Sequence, residues 1–570
     1  MALASKFDYI VVAVYMVLMV AVGIILSYFN KDDSDFFKSG NKMPWWLSGF
    51  SFFMTSFSVW TFTGAAGLAY RAPGVAMLMY FSNSLVMIFG VLFLARLWRR
   101  SRSSTIMSYL TERYGVTTNQ VYSWTHLVAA LVQGGIQLLA LATFISVAMG
   151  TDLKWTIIVC GLVISVYCLI GGLWAVVVTD TLQFMVLFPC AVVVMVIGLI
   201  EVGGVSALVA KAPEGFWQIN TQEFDWKYLL AYAVVMAFAF NSGSAAQRYF
   251  SVKDEREARK VALLSMLLLL TTPLVFLLPP IISRIIDLDL ASITLGLNAP
   301  QEAAYVGFCL KYLPSGAIGI MLAAMLSATM SSLSATFNAY AGVLTDDIIR
   351  QIFWKKASGK ALLLIGRLTT LLFGGLVIIA AVYQSKSAGG VFGLMMTFSG
   401  IVIVPAGIPI VIGLFYRATP RWSAIASYLT GLTIGVVFLL LGKEPSFTDE
   451  VFIFGGISAV IYFLPGLFLK PKGKYKESLN RLFAKLATPI AADEVGDTLE
   501  TDLGSYRITG WTTVGMGVAV ILLVLQDITW QGRIIIAAIG ALIALIGAFL
   551  LFSGRLLVRR SKRAAVTASA

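Results

Sequence analysis

One lone carboxylate, two polar interruptions and a stripe of serines are the residues of this chain best equipped for chemistry. Asp180 stands eight residues beyond Gly172, inside an apolar run, about 12 Å deep at 1.5 Å per helical residue. A charge at that depth marks an ion path or a binding site, unless it is protonated or paired with a hydroxyl for packing. The first interruption reads SGFSFFMTSFSVWTFTGAAGLAY, with Thr55, Ser56, Ser58, Thr61 and Thr63 ahead of Gly64 and Gly67. The second, AFAFNSGSAAQRYF, strings together Asn241, Ser242, Gly243 and Ser244. Irregular backbone survives in hydrocarbon only beside a cavity, and the carbonyls it frees bind ions and polar solutes. The stripe is LPSGAIGIMLAAMLSATMSSLSATFN, where Ser327, Ser331 and Ser334 accompany Ala324, Ala328 and Ala335. Ser331 and Ser332 are adjacent, so their hydroxyls point apart. Neutral oxygens replace the hydration shell of a hard cation without a full countercharge, and so leave its release easy. Hydroxyls bonding back to their own helix, with small residues packing helices closely, would use the same residues.

Such residues must be held by helices in a bilayer, because composition leaves little else. Of 570 residues 59% are apolar and 12% charged, about half the roughly 25% charge of soluble domains. Too little polar surface remains to coat a soluble protein of this size. Disorder, a coiled coil and a disulfide scaffold are excluded as well. Fifteen apolar runs of bilayer length occur, at roughly 7–28, 46–70, 75–95, 120–149, 155–171, 174–200, 228–247, 261–283, 313–341, 361–383, 389–415, 422–441, 451–469, 511–526 and 533–553. They cross as helices, since unpaired amides are too costly in lipid. The first run is too long for a removable signal peptide.

A net charge of +13 would suit a nucleic-acid partner, but its placement does not. With the N-terminus outside, alternate loops and the C-terminal tail hold 32 of the 42 Lys and Arg residues, among them Arg96, Arg99, Arg100, Arg102, Arg248 and Lys253. That is the positive-inside bias, and it favours an odd number of spans. It predicts a multi-pass protein of the cell's inner (plasma) membrane, in contact with lipid and not nucleic acid, with the C-terminus cytoplasmic. Nearly every other charge falls in a loop or at a span end, which leaves Asp180 as the exception. The two interruptions open corresponding runs of two five-run groups, 46–200 and 228–415. A repeat of five reverses orientation, so the groups would be inverted copies around a central site, although no residue-level identity is visible between them.

Four stretches carry a resemblance. FFKSGNKMPWW before the second run, GGLWAVVVTDTLQ at 171–183, AAQR at 245–248 and LPSGAIGIMLAAMLSATMSSLSATFN at 313–338 are similar to signatures of the sodium:solute symporter family. That family comprises sodium-coupled carriers of sugars, proline, pantothenate and sialic acid. The likeness runs from Phe36 to about Arg421 and implies an all-α polytopic membrane protein with a LeuT-type 5+5 inverted repeat. In that layout residues 1–45 hold one helix and a cytoplasmic loop, and 46–200 hold core helices one to five. An extracytoplasmic loop at 201–227 leads to core helices six to ten at 228–415. Two helices follow at 416–469, then a cytoplasmic loop at 470–509, and two helices with a basic tail at 510–570.

The resemblance also implies a main sodium site built from the carbonyls of Met54, Phe57 and Ala328 and the hydroxyls of Ser331 and Ser332. Asp180, with Ser331 and Ser334, matches a second sodium site of some members, where a further serine is replaced by Ala335. The matching solute positions are Ser58, Trp60 and Thr61, then Tyr80, Phe81 and Ser84. Gln133, Gln137, Phe238, Asn241, Met396 and Thr397 complete them. Acidic and amide groups of sugar-carrying members stand as Phe81 and Met396 here. No arginine lies at pocket depth in the third core helix to hold a carboxylate by a strong charge-assisted pair. The expected function is sodium-coupled symport of a small neutral polar solute, sugar-like, into the cell by alternating access. A carrier of an amino acid or of a carboxylate such as sialic acid, and a transporter-like solute sensor, are the alternatives. An enzyme is not expected: His126 is the only histidine, and Cys160, Cys168, Cys190 and Cys309 lack metal-site spacing.

Overall fold

A computed structural model describes residues 4–27, 43–168, 173–290, 297–355, 358–443, 445–491, 494, 499–526 and 528–569. Residues 36–42 of the first motif and 171–172 of the second lie outside them. Among the described residues every regular element is helical. α1 (Lys6–Ser27) leads to the first interrupted run, which is cut where Ser and Thr cluster. α2 (Trp45–Ser56) stops at Phe57 and Ser58, both extended; one 3-10 turn covers Val59–Phe62, and α3 (Gly64–Arg71) resumes. Ser58 caps the turn, its hydroxyl accepting the Trp60 N–H at 3.3 Å. Such local bonds let Ser compete with the helical ladder. α4 (Pro73–Phe89) begins with proline, where a missing N–H is harmless.

α5 (Ile106–Tyr114), α6 (Val116–Met149), α7 (Leu153–Cys168) and α8 (Leu173–Val202) complete the first half. The second interruption is also a real cut. α9 (Trp226–Ala239) ends at Phe240, and α10 (Gly243–Phe250) starts after Asn241 and Ser242. Gly243 turns the chain there at φ +59°, a conformation open to a residue without Cβ. α11 (Glu255–Ile285), α12 (Ala304–Tyr312), α13 (Ala317–Gly342), α14 (Gly359–Gln384) and α15 (Gly390–Phe398) follow. Then come α16 (Ser423–Leu440), α17 (Gly455–Phe468), α18 (Gly473–Ala487), α19 (Leu499–Leu522) and α20 (Trp530–Ser569). Among the described residues eleven helices are long and apolar enough to cross a membrane. The predicted runs beyond those eleven are α1, the run cut between α2 and α3, and the shorter apolar helices α7 and α9.

The centre is α13, whose span is wholly enclosed by neighbouring helices. It packs on α1, α2, α6, α8 and α14, and its small residues bring backbones close. A Cβ on Gly319 would lie 2.8 Å from backbone atoms of Asp8. The buried Asp8 carboxylate accepts the Gly316 and Gly319 N–H groups at 2.6 and 2.7 Å, an acid at a helix N-terminus where the dipole favours it. The packing reading of the small stripe therefore holds at this end of α13.

The loops sort onto two faces. On one, Arg99 donates to the Val252 carbonyl at 2.7 Å, Arg102 to Glu494 at 2.7 Å, and Arg113 to the Gly413 carbonyl at 3.1 Å. On the other, Ala4 donates to Ala148 at 3.0 Å, Arg71 pairs with Glu223 at 2.9 Å, and Asn298 bonds the Ser387 carbonyl at 3.1 Å. Loops grouped by counting charges thus touch one another in space.

Candidate functional site

The cut between α2 and α3 faces α13. Extended backbone at Phe57 turns its carbonyl out of the helical ladder, and the Ser332 hydroxyl lies 3.0 Å from it. The same hydroxyl lies 3.1 Å from the Ala328 carbonyl, one turn earlier on its own helix. The Met54 carbonyl, beside them, accepts the Phe57 N–H at 3.3 Å. Met54, Phe57, Ala328 and Ser332 are therefore gathered at one spot, all of them buried. These are neutral oxygens of the kind a hard cation takes. Ser331 points the other way, toward Asp180, as adjacent helical residues must. Ser334 turns its hydroxyl onto the Ser331 carbonyl at 3.0 Å.

Asp180 has a partner that charge counting placed elsewhere. Arg248, assigned above to a cytoplasmic loop, is 1% exposed and stands 3.5 Å from the Asp180 carboxylate, itself 1% exposed. Ser51 joins them: its hydroxyl donates to Asp180 at 2.6 Å and accepts from Arg248 Nε at 2.9 Å. Arg248 also donates to the Thr55 hydroxyl at 2.7 Å. The arginine lies in the last turn of the half-helix α10, which lies against α2, so its side chain runs inward. A buried charge needs such a partner, and each ion here supplies the other's. The signal was present in AAQR, whose arginine follows the second cut by little more than one turn. Arg248 Nη1 and both polar atoms of Gln183 remain buried without a hydrogen bond. Unpartnered polar atoms in one region are where an ion or water binds.

The solute positions divide into three sets. Trp60 is nearly parallel to both Tyr80 and Phe392, with ring centroids 6.4 and 6.0 Å away and planes within 10° and 15°. Thr61 accepts the Tyr80 hydroxyl at 3.3 Å. Trp60 Nε1 is buried without a partner. Phe392 escaped the sequence reading, although it lies one turn before Met396 on α15. A second set lines the facing helices: Gln133 and Gln137 on α6, with Met396 and Thr397 on α15, which pack together. The Gln137 Oε1 is buried and unpartnered. The third set is engaged elsewhere. Ser84 donates to the Met266 carbonyl at 3.0 Å, and the Asn241 amide donates to Ala237 at 2.9 Å, stapling its own cut. Phe238 packs on Gly407, where a Cβ would lie 2.7 Å away. The Ser58 hydroxyl caps the 3-10 turn, and Phe81 is half-buried on α4.

The model of the sodium:solute symporter family matches residues 36–431. The chain belongs to this family. Rat sodium/myo-inositol cotransporter 2 is 26% identical to it over 481 residues, 76% of this chain and 70% of the relative. Sheep sodium/glucose cotransporter 1 is 25% identical over 480 residues, covering 75% and 71%. A solved Na+-coupled sialic acid symporter, in a substrate-bound outward-open state, matches with a TM-score of 0.70 at 20% identity, over 82% of this chain and 99% of that one. The fold is shared with that symporter, and the resemblance read from the four motifs holds. This family member is a multi-pass membrane protein whose coupling ion is sodium and whose cargo is a small solute.

Proposed function

We propose that this family member carries a small neutral polyhydroxyl solute, of the sugar or polyol class, into the cell with sodium by alternating access. Ser332 is the observation that supports it most. Its hydroxyl meets the Phe57 and Ala328 carbonyls across the cut, so an ion bound there ties α2 to α13 and favours one arrangement of the solute pocket. The Trp60 ring, nearly parallel to Tyr80 and Phe392 at 6.4 and 6.0 Å, is an aromatic group suited to the apolar face of a sugar ring. Residues 46–200 and 228–415 act as inverted groups about their two cuts, in fifteen crossings, with the face carrying Ala4 outside. One sodium per cycle is favoured over two, since Asp180 is paired with Arg248 and Ser334 is bonded to its own helix. An inward potential of 100 mV adds about 2.3 kcal/mol per charge, roughly a 50-fold concentrating factor.

The test is uptake of labelled myo-inositol and glucose into proteoliposomes, with and without an inward sodium gradient. Sodium-driven accumulation of one of them is expected, and uptake of both that ignores the gradient would refute the reading.

A further inference from the structure

The sequence reading passed over Glu302, which sits in a 3-10 turn, Pro300–Ala303, on the face carrying Ala4. Its side chain is 4% exposed. One carboxylate oxygen accepts the Phe392 N–H at 3.0 Å, and the Val391 N–H also points to it. These are the first free amides of α15, and a carboxylate at a helix N-terminus satisfies them and the dipole together. The fit is close. A Cβ on Gly390, at φ +61°, would lie 2.8 Å from Glu302 Oε1, and one on Gly67 would lie 3.1 Å from Glu302 Cγ. Glu302 thus touches α3 beyond the first cut and grips the turn whose Phe392 lies on Trp60.

We propose that Glu302 is a positioning residue of the solute gate: it holds the first turn of α15 so that Phe392 covers Trp60, and the gate opens when those bonds break. The assignment of Trp60 to a solute pocket rests on the transport reading above; the latch itself rests on the geometry. Burial lifts the Glu302 carboxyl to about 7. The titratable groups on the surrounding elements are Tyr70 and Arg71 on α3, the latter paired with Glu223, Tyr305, Cys309, Lys311 and Tyr312 on α12, Tyr122 and His126 on α6, and Lys386 before α15. Glu302's own surroundings are set by burial and the two N–H groups. Opening to water returns the carboxyl to its ordinary range, so the closed form binds the proton more tightly. Acidification therefore closes the gate.

The test places a reporter cysteine at Gln137 in the full-length protein with Cys160, Cys168, Cys190 and Cys309 replaced by alanine. Its labelling by a membrane-impermeant maleimide is normalised at each pH to that of free cysteine. With Glu302 present, labelling falls about tenfold from pH 8 to pH 6. Glu302→Gln keeps an acceptor oxygen and labels slowly at every pH, whereas Glu302→Ala labels about tenfold faster than Glu302→Gln. A flat or rising profile with Glu302 present on acidification, or equal rates for Glu302→Ala and Glu302→Gln, overturns the proposal. Should Glu302→Ala fail to fold, the pH contrast between Glu302 and Glu302→Gln still decides. Labelling needs neither solute nor gradient, so sodium-insensitive uptake would count against the transport reading and leave the latch standing.

Discussion

The Asp180–Arg248 pair gives the sharpest energetic test of the buried site. Arg248→Gln leaves a carboxylate that is 1% exposed without its counterion, beside the Ser51 and Ser331 hydroxyls, and removes the guanidinium's bonds to Ser51 and Thr55. Breaking one side of such a pair costs about 3–5 kcal/mol, because the remaining charge stays buried without its counterion. Asp180→Asn alone strands the guanidinium and is expected to cost about as much. The double variant Asp180→Asn with Arg248→Gln strands no charge and keeps polar groups of similar shape, so it should lose only about 1–2 kcal/mol. The singles sum to well above the double, a coupling of about 4 kcal/mol or more. Equilibrium unfolding in mixed detergent micelles, followed by tryptophan fluorescence, measures all four corners of the cycle. A double variant that loses the full sum would refute the reasoning. So would an Arg248→Gln loss below about 0.5 kcal/mol, the effect of an ordinary surface substitution, because it would put Arg248 in water.

Three further outcomes follow from the same geometry. Ser332→Ala removes the hydroxyl that meets Phe57 and Ala328, so the sodium concentration for half-maximal uptake should rise about tenfold, equivalent to about 1.4 kcal/mol; an unchanged sodium requirement counts against the site. Trp60→Ala removes the ring aligned with Tyr80 and Phe392 and should weaken solute binding more than Tyr80→Phe, which loses one neutral bond of about 1 kcal/mol; calorimetric titration with the transported solute ranks the two. At the basic face, two bonds from Arg102 hold the Glu494 carboxyl well below the usual range, at about 2. A depressed carboxylate contributes fully above its ordinary value and loses that contribution progressively as pH falls from there through about 2. Glu494→Ala should therefore expose α18 to protease, 1 M salt should do the same to the parent by screening an exposed pair, and a change from pH 8 to pH 5 should not. Equal digestion of parent and variant at low salt would sink that account.

Much of the architecture was legible because hydrocarbon imposes two strict conditions, apolar length and backbone satisfaction. Both cuts fall where the sequence strings polar residues beside glycine: at Phe57–Ser58 before Gly64, and at Asn241–Ser242 before Gly243. The positive-inside count grouped loops that the fold then brings into contact, such as those of Arg99 and Val252 and of Arg113 and Gly413. What the count could not see was α18, an amphipathic helix inside the 470–509 loop. Its Lys485 reaches Glu112 and its Tyr475 hydroxyl bonds the Thr419 carbonyl. Hydropathy finds segments that lie in lipid, and a helix lying on protein at the membrane face carries no such signature.

The site was less legible, for a related reason. Backbone ligands have no residue type, so Met54, Phe57 and Ala328 could come only from the resemblance. Ser332, by contrast, is named by its hydroxyl. Counting charges by loop fails at a half-helix, because a chain that has just been cut re-enters the protein before it leaves the bilayer. Arg248 was therefore assigned to water although its last neighbours in sequence, Asn241 and Ser242, mark the cut that sends it inward. Glu302 and Phe392 were missed differently. Neither lies in a polar cluster, and each gains its role from a partner ninety residues away. A carboxylate in a long connecting loop reads as solvated until the fold closes over it, and then it becomes an N-terminal acceptor with no water to compete. The charges that matter most in this molecule are thus the ones whose sequence neighbourhood looks like a loop and whose spatial neighbourhood is a helix end.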